Sequence, residues 1–155
     1  MLKFQDKITL GVFAGVIANI IRNTIGFITY FSGIKEYHIW HFAASAYLTK
    51  EEVNTFWGML LGMFTDYAIA CFLGIFTVYF LLMVGIKNYI LKGIIVGTGA
   101  WLLIFTLVVR FEISKIAPIT PLESIVFFFN HLLIGILIVI IINKYGKNLI
   151  KNYFD

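Results

Sequence analysis

The chain has 155 residues, 61% of them hydrophobic and 13% charged, with a mean hydropathy of +0.94. Soluble domains are about 45–50% apolar and about 25% charged, and a core of this size cannot shield so much apolar surface, which excludes a soluble globular domain, a disordered chain and a disulfide-built secreted fold. The net charge of +4 does not point to nucleic acid, because the bases lie in short flanks between apolar runs, and the single cysteine, Cys71, has no internal partner.

A helix crosses the hydrocarbon layer with about 20 apolar residues. Four runs meet that length, at 8–31, 56–84, 89–109 and 122–142. They are too long and continuous for the short alternating strands of a membrane barrel. The pattern predicts an all-α polytopic membrane protein: one integral domain over residues 1–155, a four-transmembrane-helix bundle with an interfacial helix between the first two spans.

Lys3 and Lys7 precede the first run as in a signal peptide. The run is longer than a signal core, however, and Asn19, Arg22 and Asn23 interrupt it. The cleavage-like Ala44-Ser45-Ala46 lies too far downstream, so the span is read as retained. Gly11, Gly15, Ala18, Asn19, Arg22 and Gly26 form one stripe along it.

In the first connection, Ile39, Phe42, Ala43, Ala46 and Tyr47 recur at helical spacing beside Tyr37 and Trp40. This predicts a helix over 36–48 lying flat at the outer interface, where Trp and Tyr are favoured. His38 and His41, with Glu36 nearby, admit a metal site, but no further ligands stand at recognisable spacing. The expectation is no metal and no cofactor. Thr49-Lys50-Glu51-Glu52 reads as a capping box, which starts the second helix near Lys50 and brings it into the membrane near Phe56.

The second span carries Thr65 and a four-residue repeat of Gly58, Gly62, Asp66, Ala70 and Gly74. Small residues so spaced let helix backbones approach closely. The span is long enough to tilt or project, and Cys71, among apolar neighbours, reads as packing. The short turn at 85–88 predicts that spans two and three are antiparallel neighbours. In span three, Lys92 is placed to snorkel to the headgroups. Gly93 and Gly97 are read as helix-packing positions, and Gly97-Thr98-Gly99 is no phosphate cradle within hydrocarbon. Pro118 stops the third helix and Pro121 begins the fourth. Glu112 and Glu123 are expected to be solvated, pairing with Arg110 or Lys115. Span four carries Asn130 and His131, and Phe127-Phe128-Phe129 reads as packing or lipid-facing.

Lys3, Lys7, Lys87, Lys92, Lys144, Lys147 and Lys151 fall on one side, against Lys35, Lys50, Arg110 and Lys115 on the other. The excess predicts cytoplasmic N- and C-termini in a multi-pass cell-membrane protein. The basic tail suits anionic headgroups.

The polar residues at depth carry the functional expectations. Counting about 1.5 Å per residue from the outer helix ends puts Arg22, Asp66 and His131 roughly 14–15 Å down, at one level. Arg22 is expected to donate a forked pair of hydrogen bonds to Asp66, with Asn23, Asn130 or His131 satisfying what remains. One reading is a structural lock that fixes helix depth and register. The other is a proton or ion pathway using the imidazole of His131. With no nucleophile–base constellation and no second histidine at depth for haem, the leading expectation is a non-enzymatic integral membrane protein, an accessory or assembly subunit. The alternative is a small oligomeric transporter or channel. The partners expected are the lipid bilayer and a second copy or another membrane protein, not nucleic acid.

The glycine-bearing first span, Gly93-Ile94-Ile95-Val96-Gly97 followed by Trp101-Leu102-Leu103, and Gly135 in span four resemble small uncharacterised four-span bacterial membrane proteins of the YqhR-like kind. The resemblance implies a membrane location and no established activity, and does not extend to Arg22, Asp66 or His131.

Overall fold

The computed structural model describes residues 4, 6–109, 111, 113–116 and 120–151, and every regular element among them is helical. The elements are α1 (Lys7–Phe31), α2 (Ile39–Ala44), a 3-10 turn (Glu52–Asn54), α3 (Phe56–Val84), α4 (Tyr89–Leu102) and α5 (Pro121–Lys151). Beyond Leu102, α4 widens into a π-helical stretch over Leu103–Val109. Among the described residues three helices are long and apolar enough to cross a membrane, Lys7–Phe31, Phe56–Val84 and Pro121–Gly146, and Tyr89–Phe105 is a shorter apolar helix.

Side chains fix the helix starts. Asp6 accepts the backbone N–H of Thr9 at 2.5 Å and opens α1. Glu52 reaches back to the N–H and hydroxyl of Thr49, both at 3.0 Å. That closure leads only to the 3-10 turn, however, and the long helix begins later than the sequence suggested, at Phe56. Its cap is Thr55, whose Oγ1 accepts from Gly58 N at 3.1 Å. A reciprocal capping box opens α5: Thr120 Oγ1 accepts from Glu123 N at 3.2 Å, Glu123 Oε2 accepts from Thr120 N at 3.0 Å, and Pro121 takes the first helical position. Between α3 and α4 the chain reverses at Gly85 (φ +76) and Asn88 (φ +55). Lys92 reaches toward this turn. Its Nζ donates to the carbonyls of Val84 at 2.8 Å and Gly85 at 2.7 Å, satisfying acceptors that the end of α3 leaves open.

The major packing pairs are α1 on α3, α4 on α5, α2 on α3 and α1 on α5. Where α1 meets α3, bare backbones touch. A Cβ on Gly15 would overlap the Ala70 carbonyl, one on Gly74 the Gly11 carbonyl, and one on Gly11 the backbone of Ile75. Gly97 lies similarly against the His131 carbonyl, Gly135 against the Gly93 carbonyl, and Gly93 against Val139 and the α5 backbone. Leu10, Ala14, Val78, Leu81, Ile138 and Ile142 fill the core at one end of the bundle.

Two expectations are corrected. α3 and α4, despite their four-residue turn, meet at few positions. A groove of about 490 Å³ separates them, walled by Phe72, Phe76, Ile95, Gly99 and Leu103 among others. In addition, the first connection does not lie flat. Its helix is six residues long, and Tyr37, His38, His41, Phe42, Ala44 and Ser45 are all buried. The Trp40 carbonyl sits where a Cβ on Gly62 would be, and the Glu52 carbonyl occupies the same place over Gly58. The Gly58 and Gly62 part of the α3 stripe thus receives the folded-in connection instead of α1. The outer surface is apolar, with Ile28 63%, Phe72 73% and Met83 80% exposed.

Candidate functional site

Asn19, Arg22 and Asn23 stand at i, i+3 and i+4, so one face of α1 presents all three. Asp66 faces them from α3, and all four are buried. Arg22 Nη2 lies 2.5 Å from Asp66 Oδ1, while Asn19 Nδ2 and Asn23 Nδ2 each donate to Oδ2 at 2.9 Å. Arg22 Nη2 also donates to Asn23 Oδ1 at 3.3 Å. The guanidinium therefore does not make the forked pair. One nitrogen does the binding, and the two asparagines saturate the other carboxylate oxygen. A buried carboxylate requires such partners, since leaving either charge unpaired is strongly destabilising.

Asn130 and His131 lie beside this group without bonding to Asp66. His131 Nδ1 is 2.8 Å from the Phe127 carbonyl. Both residues border small cavities around Arg22. One, of about 10 Å³, is lined by Arg22, Asn23, Lys35, Asn130 and His131 with Gly26, Ile39 and Phe127. The other, of about 40 Å³, is bordered by Arg22, Asp66, Ala100 and His131 among others. It shares Ile69, Leu73, Ala100 and Ile104 with the α3–α4 groove.

Sequence reasoning missed the part of the site supplied by the connection. After α1 the chain turns back at Gly33 (φ +75), carrying Lys35 inward until it is only 3% exposed. Its Nζ rests 4.8 Å above the Phe127 ring. Desolvation, with the Arg22 charge adding to it and Glu123 opposing, brings the Lys35 ammonium down to about 8. His38 stacks on Phe27 with ring centroids 3.9 Å apart. Its Nδ1 accepts the Trp40 N–H at 3.3 Å, and its buried Nε2 has no hydrogen-bond partner. Burial, then the nearby Lys35 and Arg22 charges, pushes this imidazole down to about 3. His41 Nδ1 accepts the His38 N–H at 3.0 Å. The two histidines that suggested a metal site thus each commit a nitrogen to the backbone of α2. Among the described residues no three His, Cys, Asp or Glu side chains are grouped to hold a metal.

Glu123 is also unlike its expectation. It is buried, and its Oε1 accepts the Glu36 N–H at 2.6 Å, tying α5 to the connection. Lys3, Arg110, Glu112 and Pro118 lie outside the described residues, as do the side chains of Lys147 and Lys151. No protein family, curated protein or solved structure matches the chain.

Proposed function

We propose that the chain is a non-enzymatic integral membrane protein, a four-span helical bundle with cytoplasmic termini that serves as an accessory or assembly subunit, and that Asn19, Arg22, Asn23 and Asp66 lock α1 to α3 within it. The observation that carries the lock is the saturation of Asp66: all three side chains bonded to it come from one face of α1. Both carboxylate oxygens are occupied by donors. Such a group fixes register and depth.

Membrane residence is supported by the three long apolar helices and by large apolar side chains directed outward. The third span combines α4 with its π-helical continuation. The orientation rests on the excess of lysines flanking the two ends assigned to the cytoplasm. The YqhR-like resemblance is in keeping with this location and adds no activity.

The lock is tested by exchange. Arg22→Asp and Asp66→Arg should each lower the yield of folded protein, and the double exchange should restore part of it. Equal loss in all three would sink the lock. The alternative, a transporter or channel, draws on the cavities that meet around Arg22 and His131. Proton or ion flux into liposomes that is abolished by Asp66→Asn and by His131→Ala would favour that reading.

A further inference from the structure

We propose that the small cavity beneath the first connection is a binding site for one monatomic anion of the chloride class, held by Lys35, Arg22 and Asn130. The formal charges on its wall are the starting point. Arg22 and Lys35 both line it and no carboxylate does. Asp66 is turned to Asn19, Asn23 and Arg22 Nη2, and Glu123 is held by the backbone N–H groups of Glu36 and Thr120. The two nearby acids therefore stay off this wall.

The cavity also has donors that no protein acceptor uses. A guanidinium has five N–H donors, and Arg22 uses only Nη2 in its bonds. The Lys35 ammonium makes a cation–π contact with Phe127 and no hydrogen bond. The Asn130 amide is 9% exposed and makes no side-chain hydrogen bond. His38 adds a further donor nearby: its Nδ1 accepts from Trp40, so the neutral ring carries its proton on the unpartnered Nε2. Gly26 leaves room at this point, since a Cβ there would stand 3.0 Å from that Nε2 and 3.9 Å from Lys35 Nζ.

Size selects the ligand. A cavity of about 10 Å³ accommodates one water-sized occupant, which excludes carboxylates and phosphates; a chloride, slightly larger than water, enters only as the long Lys35 and Arg22 side chains draw back. Asn130 Oδ1 and the His131 nitrogen turned away from Phe127 are acceptors that would suit a water, so the preference for a halide rests on the two formal positive charges of Arg22 and Lys35.

The test uses the full chain in detergent. Thermal unfolding is followed by tryptophan fluorescence while sodium chloride replaces sodium gluconate at fixed ionic strength. Chloride and bromide should each raise Tm in a saturable way. Lys35→Met should raise the half-saturating concentration at least about tenfold, as loss of a charge-assisted bond requires. Asn130→Ala should raise it by less, and the exposed Lys50→Gln should leave it unchanged. Equal Tm in chloride and gluconate, or an unshifted midpoint in Lys35→Met, would overturn the site. If Lys35→Met does not fold, crystals of the unaltered protein grown in bromide decide: an anomalous peak between Lys35 and Asn130 supports the site and an empty cavity refutes it. Neither substitution touches the Arg22–Asp66 bond, so this outcome is independent of the charge exchange.

Discussion

The seam between α1 and α3 and the seam between α3 and α4 have opposite characters. α1 and α3 are separated by the longest connection among the helices, yet they pack backbone to backbone through Gly11, Gly15 and Gly74 and share a buried ion pair. α3 and α4 are joined by four residues, yet a groove lined by Phe72, Phe76, Ile95 and Leu103 lies between them. The contrast shows that loop length does not decide which helices adhere when the surroundings are as apolar as the side chains. Close approach at small residues and the pairing of polar groups decide it.

The contrast is broken most severely at Gly15. Gly15→Leu should destabilise the bundle by about 3 kcal/mol, as overpacking of a tight interface does. Gly99→Leu, where nothing lies within 4 Å of an added Cβ, should change stability by less than about 0.5 kcal/mol. Equal losses in a denaturant titration of both variants would mean that the open groove is closed in the protein as purified. A smaller effect is expected where the open seam is anchored. Lys92→Met removes the donor to the Val84 and Gly85 carbonyls and should cost about 1 kcal/mol, read by the same titration, without weakening the α1–α3 seam.

A last effect concerns the connection packed on α3, and it depends on pH. His38 is held neutral in the folded state, down to about 3, while an unfolded histidine takes up a proton near 6.5. Between these values the unfolded chain binds the proton and the folded chain does not, so stability falls as pH drops from about 6.5 toward 3. His38→Asn, whose side-chain oxygen can still accept the Trp40 N–H, should flatten part of that slope in Tm measured against pH. An unchanged slope would show that the imidazole is not sequestered.

The helical runs and the level shared by Arg22, Asp66 and His131 were legible because each follows from one-dimensional spacing: run length for the helices, a rise per residue for depth. The roles within the cluster were less so. Asn19 sits one turn from Arg22 and Asn23 and could have been named as a ligand of Asp66 from that spacing alone, whereas Asn130 and His131 line the cavities beside Arg22 without bonding to Asp66. The two Thr-x-x-Glu boxes look alike in sequence. Only the one followed directly by Pro121 opens a helix, while the one at Thr49 is cut short by a second cap at Thr55. Lys35 was invisible as a site residue because its burial is created by the inward fold of the connection, which depends on Gly62 yielding space to the Trp40 carbonyl. No local pattern encodes that contact.

The spacing along the chain between the two members of the ion pair also bears on how the protein is made. Asp66 is synthesised 44 residues after Arg22, so in the proposed membrane arrangement α1 reaches the bilayer with its guanidinium unmatched. An arginine in mid-span costs about 2.5–3.5 kcal/mol on insertion, a penalty that the asparagines beside it cannot cancel. α1 therefore settles fully only once α3 arrives, and the lock is also an ordering device: nascent chains released before residue 66 should leave the first helix loosely held, open to extraction and proteolysis, while chains extended past α3 should hold it.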